Sequence, residues 1–234
     1  MMCDALNRIK RKWMNLRLQP IRVYCLHHVC AEYDAESMNR CDWTNIDEFK
    51  VKVLSMQLSG IRFISLSEAY RHICEDYIRC KKYAVLTFDD GYTSLKEILP
   101  WLEEQGIPVI LFINGKYLDG KSFRKNPKER YLTKDELFVL TTPLIEIGNH
   151  GWEHNRVTDL TEEEFEESVA KNAGILKEHP NYVPFWAYTY GAYTDRTDAY
   201  LQEQGIVPIY VDGMGNYADI HVLHRELMSE RMNE

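Results

Sequence analysis

Two histidines separated by three residues, His150 and His154, are the first candidates for chemistry in this chain. Two imidazoles at that spacing on one helical turn can converge on a single metal ion. A carboxylate as the third ligand leaves a position open for water, which is typical of catalytic rather than structural zinc sites. The spacing alone is weak evidence, because eight histidines in 234 residues can produce such a pair by chance.

Two carboxylates, Asp89 and Asp90, directly follow the apolar run 83–88. Neighbouring side chains on a regular strand point to opposite faces, so both carboxylates reach one site only where the strand breaks. Gly91 supplies that break, because glycine adopts backbone conformations that other residues avoid. A solvated Asp-Asp-Gly turn is the alternative. The buried strand before it and the amphipathic helix after it favour a functional site.

The elements that must position these residues follow an alternating pattern. From Pro20 onward, β-rich runs alternate with helical patterns without a repeat or a flexible linker, which predicts one α/β domain. The predicted helices are 46–58, 67–79, 94–105 and 161–177, and Thr-x-x-Glu capping boxes begin at Thr133 and Thr161. The predicted strands are 21–27, 62–66, 83–88, 108–113, 144–148, 184–189, 207–211 and 222–227. Eight strands are the number that a barrel would use.

Four polar clusters lie at or just after the carboxyl ends of predicted strands. They are residues 89–91, Asn149 and His150 with His154, Tyr190 with Gly191, and Asp212 with Gly213. Parallel α/β barrels build their active sites at this edge. We therefore expect the carboxylates and the histidines to share one site.

Three segments together resemble the signature motifs of the polysaccharide deacetylases, the NodB-like enzymes of carbohydrate esterase family 4. They are Thr-Phe-Asp-Asp-Gly-Tyr at 87–92, Gly-Asn-His-Gly-Trp-Glu-His at 148–154, and Phe-Trp-Ala-Tyr-Thr-Tyr-Gly at 185–191. Residues 25–29 are similar to the family's opening strand with its histidine, and residues 49–66 to the helix and strand that follow. The resemblance implies a distorted (β/α)7 barrel that removes N-acetyl groups from amino sugars with a divalent metal, usually zinc.

The same resemblance implies roles for single residues. Asp90, His150 and His154 match the metal ligands. Asp89 matches the general base that deprotonates the attacking water, and the backbone N–H of Tyr190 matches the contact that supports the oxyanion.

This chain matches the family less well at two positions, the proton donor and the residue that orients the base. A histidine on the last strand usually donates the proton in this family, and His224 matches it. Residues 223–225, Leu-His-Arg, also resemble the Pro-Arg ending of a branch that lacks the usual acid. Many members have an arginine that orients the base where this chain has Ala187, so the tuning of Asp89 is weaker or comes from elsewhere.

Two further residues are candidates for substrate contacts. His28 ends the first predicted strand and could reach the site or serve as a buried structural group. Trp152 lies inside a motif and could stack on a sugar, although core packing explains such a residue equally well. The remaining histidines have no constellation around them: His27, His72, His179 and His221.

Composition excludes several classes of protein. With 28 basic and 36 acidic side chains the net charge is -8, which argues against a nucleic-acid-binding surface. The six cysteines form no Cys-x-x-Cys pair, so we expect reduced thiols rather than a disulfide framework. No apolar run is long enough to span a membrane or to form a secretory signal, which predicts a cytoplasmic protein.

Two basic segments suggest further contacts. Residues 1–20 place Leu6, Ile9, Trp13 and Leu16 at helical spacing among basic side chains, separate from a barrel domain over 21–234. This arm is either a helix packed on its own domain or a peripheral contact with an anionic membrane surface or a partner. The loop 114–132 carries six basic residues and is either a solvated connection or a lid that binds an anionic lipid or nucleotide carrier.

Three functions remain open from the sequence. The first is a metal-dependent N-deacetylase that acts on an amino sugar or a glycan precursor. The second is a hydrolase of non-sugar amides on the same fold. The third is a metal-binding or sugar-binding pseudoenzyme, which the absent arginine and the uncertain acid favour and the intact Asp89 opposes.

Overall fold

The computed structural model describes residues 21–33, 38, 42–74, 82–120, 130–212, 216 and 223–228. The N-terminal arm 1–20 and residues 121–129 of the basic loop lie outside this part of the chain. The expectations for the arm, for its separation from the barrel domain and for Lys121, Arg124, Lys125 and Lys128 therefore stay predictions.

Parallel strands form a closed barrel. The strands in the described residues are β1 (Arg22–Leu26), β2 (His28–Cys30), β3 (Trp43–Asn45), β4 (Ile61–Phe63), β5 (Lys82–Phe88), β6 (Val109–Ile113), β7 (Ile145–Asn149), β8 (Tyr182–Ala187), β9 (Val207–Val211) and β10 (Leu223–Leu227). Around the ring the order is β1-β10-β9-β8-β7-β6-β5, and β5 pairs back to β1. This seven-stranded barrel confirms the predicted (β/α)7 fold.

One of the eight predicted strands lies outside the ring. In β4, Phe63 pairs with Ala84, and Ala84 also pairs with Arg22 of β1, so β4 and β1 lie on opposite edges of β5. β4 pairs with β5 up to Ala84, and β6 pairs with the same edge of β5 from Leu86 onward. An eight-stranded closure is therefore excluded, because β4 and β6 share one edge of the same strand. The two short strands β2 and β3 pair with each other and have no counterpart among the predicted strands.

Helices cover the barrel. Their bounds are α1 (Ile46–Leu58), α2 (Leu66–Cys74), α3 (Leu95–Glu104), α4 (Lys134–Phe138), α5 (Glu162–Leu176) and α6 (Asp195–Glu203). The four predicted helices are confirmed where the chain is described, and residues 75–79 of the second one lie outside the described part. The capping boxes at Thr133 and Thr161 are also confirmed. Helix α6 is missing from the prediction, although Thr194 caps it by accepting a hydrogen bond from the backbone N–H of Thr197. No helix in the described part of the chain is both long and apolar enough to cross a membrane.

The period-two alternation of the strands fixes which side chains face the barrel interior. One apolar cluster takes alternate residues from the barrel strands, including Val23, Val85, Phe112, Ile209 and Leu223. Their neighbours along the strands pack outward against the helices in two other clusters. Residues two or four positions further toward the carboxyl end face the same way as these interior side chains. That edge of the interior carries the candidate site.

Candidate active site

The inner faces of three barrel strands carry polar side chains at the carboxyl edge. Cys25 follows Val23 on the inner face, and Thr87 and Asp89 follow Val85. Arg225 follows Leu223 on the last strand. All four side chains are almost completely buried, and Arg225 has no exposed surface. A buried carboxylate and a buried guanidinium require each other as partners.

Asp90, His150 and His154 converge on one point. The Oδ1 atom of Asp90 lies 3.3 Å from Nε2 of His150 and 3.1 Å from Nε2 of His154. Ligand atoms of the three residues all lie within 4.8 Å of one another. The structure therefore brings the three predicted ligands together.

Hydrogen bonding shows that these residues fit a cation. Nδ1 of His150 lies 2.8 Å from the carbonyl oxygen of Ala187, which can only accept, so Nδ1 carries the proton. In the neutral imidazole, the lone pair of Nε2 then faces Asp90. The buried Oδ1 of Asp90 accepts no well-aligned hydrogen bond. A divalent cation would supply a positive partner for this oxygen, and a second interaction that orients a ligand imidazole is typical of metal sites.

Residues with positive φ angles give the backbone the turns that bring these ligands together. Asp90 and Gly91 have φ angles of 72° and 77°, which breaks the strand after Asp89 as predicted. A Cβ atom on Gly91 would lie 2.7 Å from Cδ1 of Ile113, so only glycine fits there without a shift. The two histidines do not lie on a regular helical turn. Gly151 and His154 have φ angles of 86° and 56°, and this irregular turn brings the imidazoles together.

Arg225 holds Asp89 in a bidentate ion pair. Its Nη1 donates to Oδ1 of Asp89 over 2.6 Å, and its Nη2 donates to Oδ2 over 3.0 Å. Nη1 also donates to the hydroxyl of Thr87, which donates in turn to the carbonyl oxygen of Tyr24. The predicted loss of base orientation at Ala187 is therefore compensated from the last strand. Sequence reasoning had associated Arg225 with a Pro-Arg ending, without assigning it this contact.

Asp89 is ionised in this environment. Burial alone would raise its pKa, but the positive charge of Arg225 and its hydrogen bonds lower the pKa to about 2. A paired carboxylate is fully available to accept a proton near neutral pH. The same pairing limits its basicity.

An open pocket of about 410 Å³ connects the two carboxylates to solvent. Its lining includes Asp89, Asp90 and both ligand histidines, together with Cys25, His27, Asp42, Tyr92, Tyr188, Tyr190, Gly191, Val211 and Leu227. Tyr190 has a φ angle of 57° and 62% of its surface is exposed. Its ring packs on His154 with 4.8 Å between ring centroids. Its predicted backbone contact with an oxyanion remains a prediction.

Three other predicted site residues do not line this pocket. His224 faces outward, opposite to Arg225, and its Nδ1 lies 2.5 Å from Oδ2 of Asp212. His28 is fully buried, and its ring stacks on Tyr92 with centroids 4.0 Å apart. Trp152 packs against Gly115 and lines a separate surface pocket. The structure therefore does not bring these three side chains to the carboxylates.

His27, which the sequence analysis does not assign to the site, lies in this pocket. It lines the pocket, its side chain is 20% exposed, and its Nε2 lies 4.0 Å from Oδ2 of Asp89. The expectation that His27 has no constellation around it is wrong. The alternation of side chains along a strand could have identified His27. It follows Val23 and Cys25 at a spacing of two residues and so shares their face, whereas His28 falls on the opposite face.

Comparison with known proteins identifies the family of this chain. The sequence profile of the family described as Polysaccharide deacetylase matches residues 77–209, more than half of the chain, and the chain belongs to this family. YxkH of Bacillus subtilis (strain 168), a predicted polysaccharide deacetylase, is 23% identical over 130 residues, which span 55% of this chain and 44% of YxkH.

Solved structures share the fold over most of the chain. IcaB from Ammonifex degensii superposes with a TM-score of 0.73 at 23% identity, covering 91% of this chain and 94% of IcaB. The Streptococcus pyogenes deacetylase PplD, solved in complex with acetate, gives a TM-score of 0.73 at 19% identity, covering 89% of this chain and 92% of PplD.

Metal binding can be measured without any substrate. We expect isothermal titration calorimetry with Zn²⁺ to show a tight site that is lost in His154→Ala, because two ligands with an open shell bind far more weakly than three. His179→Ala is the matched control, since His179 is a buried histidine whose Nε2 faces the carbonyl oxygen of Leu137. Unchanged tight binding in His154→Ala would remove His154 from the ligand set.

Proposed function

We propose that this protein is a metal-dependent hydrolase that removes N-acetyl groups from an amino sugar or a glycan. The observation that carries the proposal is the ion pair between Asp89 and Arg225 beside the convergent Asp90, His150 and His154. One pocket thus contains an ionised base and a cation-binding triad, which together are the requirements of water-driven amide hydrolysis. Membership in the polysaccharide deacetylase family supports the sugar as substrate.

Asp89 accepts the proton of the attacking water as the new C–O bond forms. Arg225 fixes both carboxylate oxygens, so the side chain cannot rotate away from the water. Asp90, His150 and His154 would hold a divalent cation, which would supply Lewis acidity toward the acetamide carbonyl and the attacking water. The backbone N–H of Tyr190 is proposed to donate a hydrogen bond to the oxyanion.

His27 is proposed to donate the proton that the leaving amine requires. When the C–N bond breaks, the amine nitrogen takes that proton, and the products are acetate and the free amino sugar. His27 is suited to this step because it lines the pocket and lies close to Asp89, whereas His224 faces the outside of the barrel. This assignment replaces His224 as the candidate acid.

We expect His27→Gln to lower kcat by about 10²-fold, the lower end for a general acid–base group. The loss of kcat is no larger because Asp89, protonated after the water has attacked, lies nearby and can give its proton to the amine. His224→Gln is the matched control and should keep most of the activity. The measurement is the rate of acetate release at saturating substrate. A large loss in His224→Gln with an active His27→Gln would restore the original assignment.

Acetate release also tests the proposed function as a whole. Purified protein with one equivalent of Zn²⁺ is incubated with N-acetylated amino sugars of increasing length and with an acetylated lysine peptide. We expect acetate from one or more sugars, little from the peptide, and a rate lowered by about 10² to 10⁴-fold in Asp89→Asn. Release from the peptide alone would identify a non-sugar amide hydrolase, and no release with full metal occupancy would favour a pseudoenzyme.

A further inference from the structure

A second group of metal-ligating side chains lies in the same pocket. Cys25, His27 and Asp89 each offer a ligand atom, and these atoms all lie within 4.8 Å of one another. Sγ of Cys25 lies 3.3 Å from Oδ2 of Asp89, and Nε2 of His27 lies 4.0 Å from the same oxygen. None of the three belongs to the triad of Asp90, His150 and His154.

These distances suit one tetrahedral ion. With the usual bond lengths to sulfur, nitrogen and oxygen, neighbouring donors around zinc lie roughly 3.4 to 3.6 Å apart. The separation of Cys25 and Asp89 is already near that value, and the imidazole must move about 0.6 Å closer to Asp89. Cys25 and Asp89 are 2% and 3% exposed and held in place, whereas the partly exposed His27 has room to move. A water from the pocket completes the shell.

We infer that Cys25, His27 and Asp89 form a second, weaker site for a thiophilic divalent ion such as Zn²⁺ or Cd²⁺. The thiolate gives this site its selectivity, because sulfur ligands favour soft ions and reject Mg²⁺ and Ca²⁺. On binding, the S–H bond of Cys25 breaks, its proton leaves to solvent, and a sulfur–metal bond forms.

Arg225 makes this site weaker than the first one. Its Nη2 lies 3.0 Å from Oδ2 of Asp89, the oxygen that the ion needs, so the guanidinium competes for the same lone pairs and repels a cation. Among the described residues, no guanidinium or ammonium group forms an ion pair with the carboxylate of Asp90. We therefore expect the second site to fill only after the first.

Occupation of the second site should inhibit the enzyme, and this consequence rests on the proposed function. An ion on Oδ2 of Asp89 removes the base, and its bond to Nε2 of His27 removes the proton donor. Zinc then activates at one equivalent and inhibits in excess. The binding itself does not depend on what the pocket hydrolyses, so it is tested separately.

Cobalt reports a thiolate ligand directly. We titrate Co²⁺ into the purified, reduced full-length chain and expect a near-ultraviolet thiolate-to-cobalt charge-transfer band that appears only after the first equivalent. Cys25→Ser should lose the band, whereas Cys30→Ser, the matched control at another buried cysteine, should keep it. His154→Ala should weaken the first ion and retain the band. Absence of the band, or its persistence in Cys25→Ser, overturns the second site.

Acetate release with rising Zn²⁺ tests the inhibition. Each variant is normalised to its own rate at one equivalent, and Cys25→Ser should raise the zinc concentration that halves activity by about tenfold or more. An active enzyme that shows the cobalt band but no zinc inhibition overturns the inhibitory role. A cobalt band without any acetate release would confirm the second site and contradict only the proposed function.

Discussion

Asp89→Asn is expected to lower kcat by about 10² to 10⁴-fold while the protein still binds a divalent ion at Asp90, His150 and His154. The amide preserves the shape of the side chain but cannot accept a proton from water. Its oxygen still accepts one hydrogen bond from Arg225, which keeps the side chain in place. The measurement combines acetate release with calorimetric titration of Zn²⁺.

Asp90→Asn is the matched control, because the two carboxylates are neighbours and both are buried. It should lose affinity at the first metal site together with activity, whereas Asp89→Asn should lose activity and keep that first site. Since Asp89→Asn also deprives Arg225 of its anionic partner, rates are compared on samples shown to be folded by circular dichroism. Parallel loss of metal in Asp89→Asn would make Asp89 a ligand of the first site, and near-normal turnover would place the base elsewhere.

Arg225→Gln is expected to lower the free energy of unfolding by roughly 3 to 5 kcal/mol, because it leaves the Asp89 carboxylate buried without its charge partner. Both members of the pair are almost fully inaccessible to solvent. Activity should fall as well, since Asp89 loses the two hydrogen bonds that orient it. Urea unfolding followed by circular dichroism gives the stability, and acetate release gives the activity.

Arg22→Gln is the matched control on the neighbouring strand. Arg22 also pairs with a carboxylate over 3.0 Å, and Glu226 is 7% exposed, but Arg22 itself is 35% exposed, so water can replace it and its removal should cost less than that of Arg225. Arg225→Lys keeps the positive charge but loses the planar guanidinium. Its free energy of unfolding should lie between those of the wild type and Arg225→Gln. Equal losses in Arg22→Gln and Arg225→Gln would contradict the special role of the buried pair.

Local features of this sequence were predictable because they depend on near neighbours. The apolar run before Asp89 and the break at Gly91 predicted a strand ending in two carboxylates. The capping boxes at Thr133 and Thr161 predicted two helix starts. Helix α6 was missed because its cap uses a threonine at the third helical position, where the expected signal is glutamate or glutamine.

The identity of the residues that meet at the site depended on closure of the barrel. Alternation along a strand places His224 and Arg225 on opposite faces, and His27 opposite His28, but it does not say which face is inside. That choice is made when β1 pairs with β5 and with β10, residues far apart in the chain. The sequence by itself therefore determined the chemistry available, namely two carboxylates and two histidines on a parallel barrel. Only the tertiary structure decided that Arg225 holds the base and that His27 faces it, because side chains from distant strands meet only after the ring has closed.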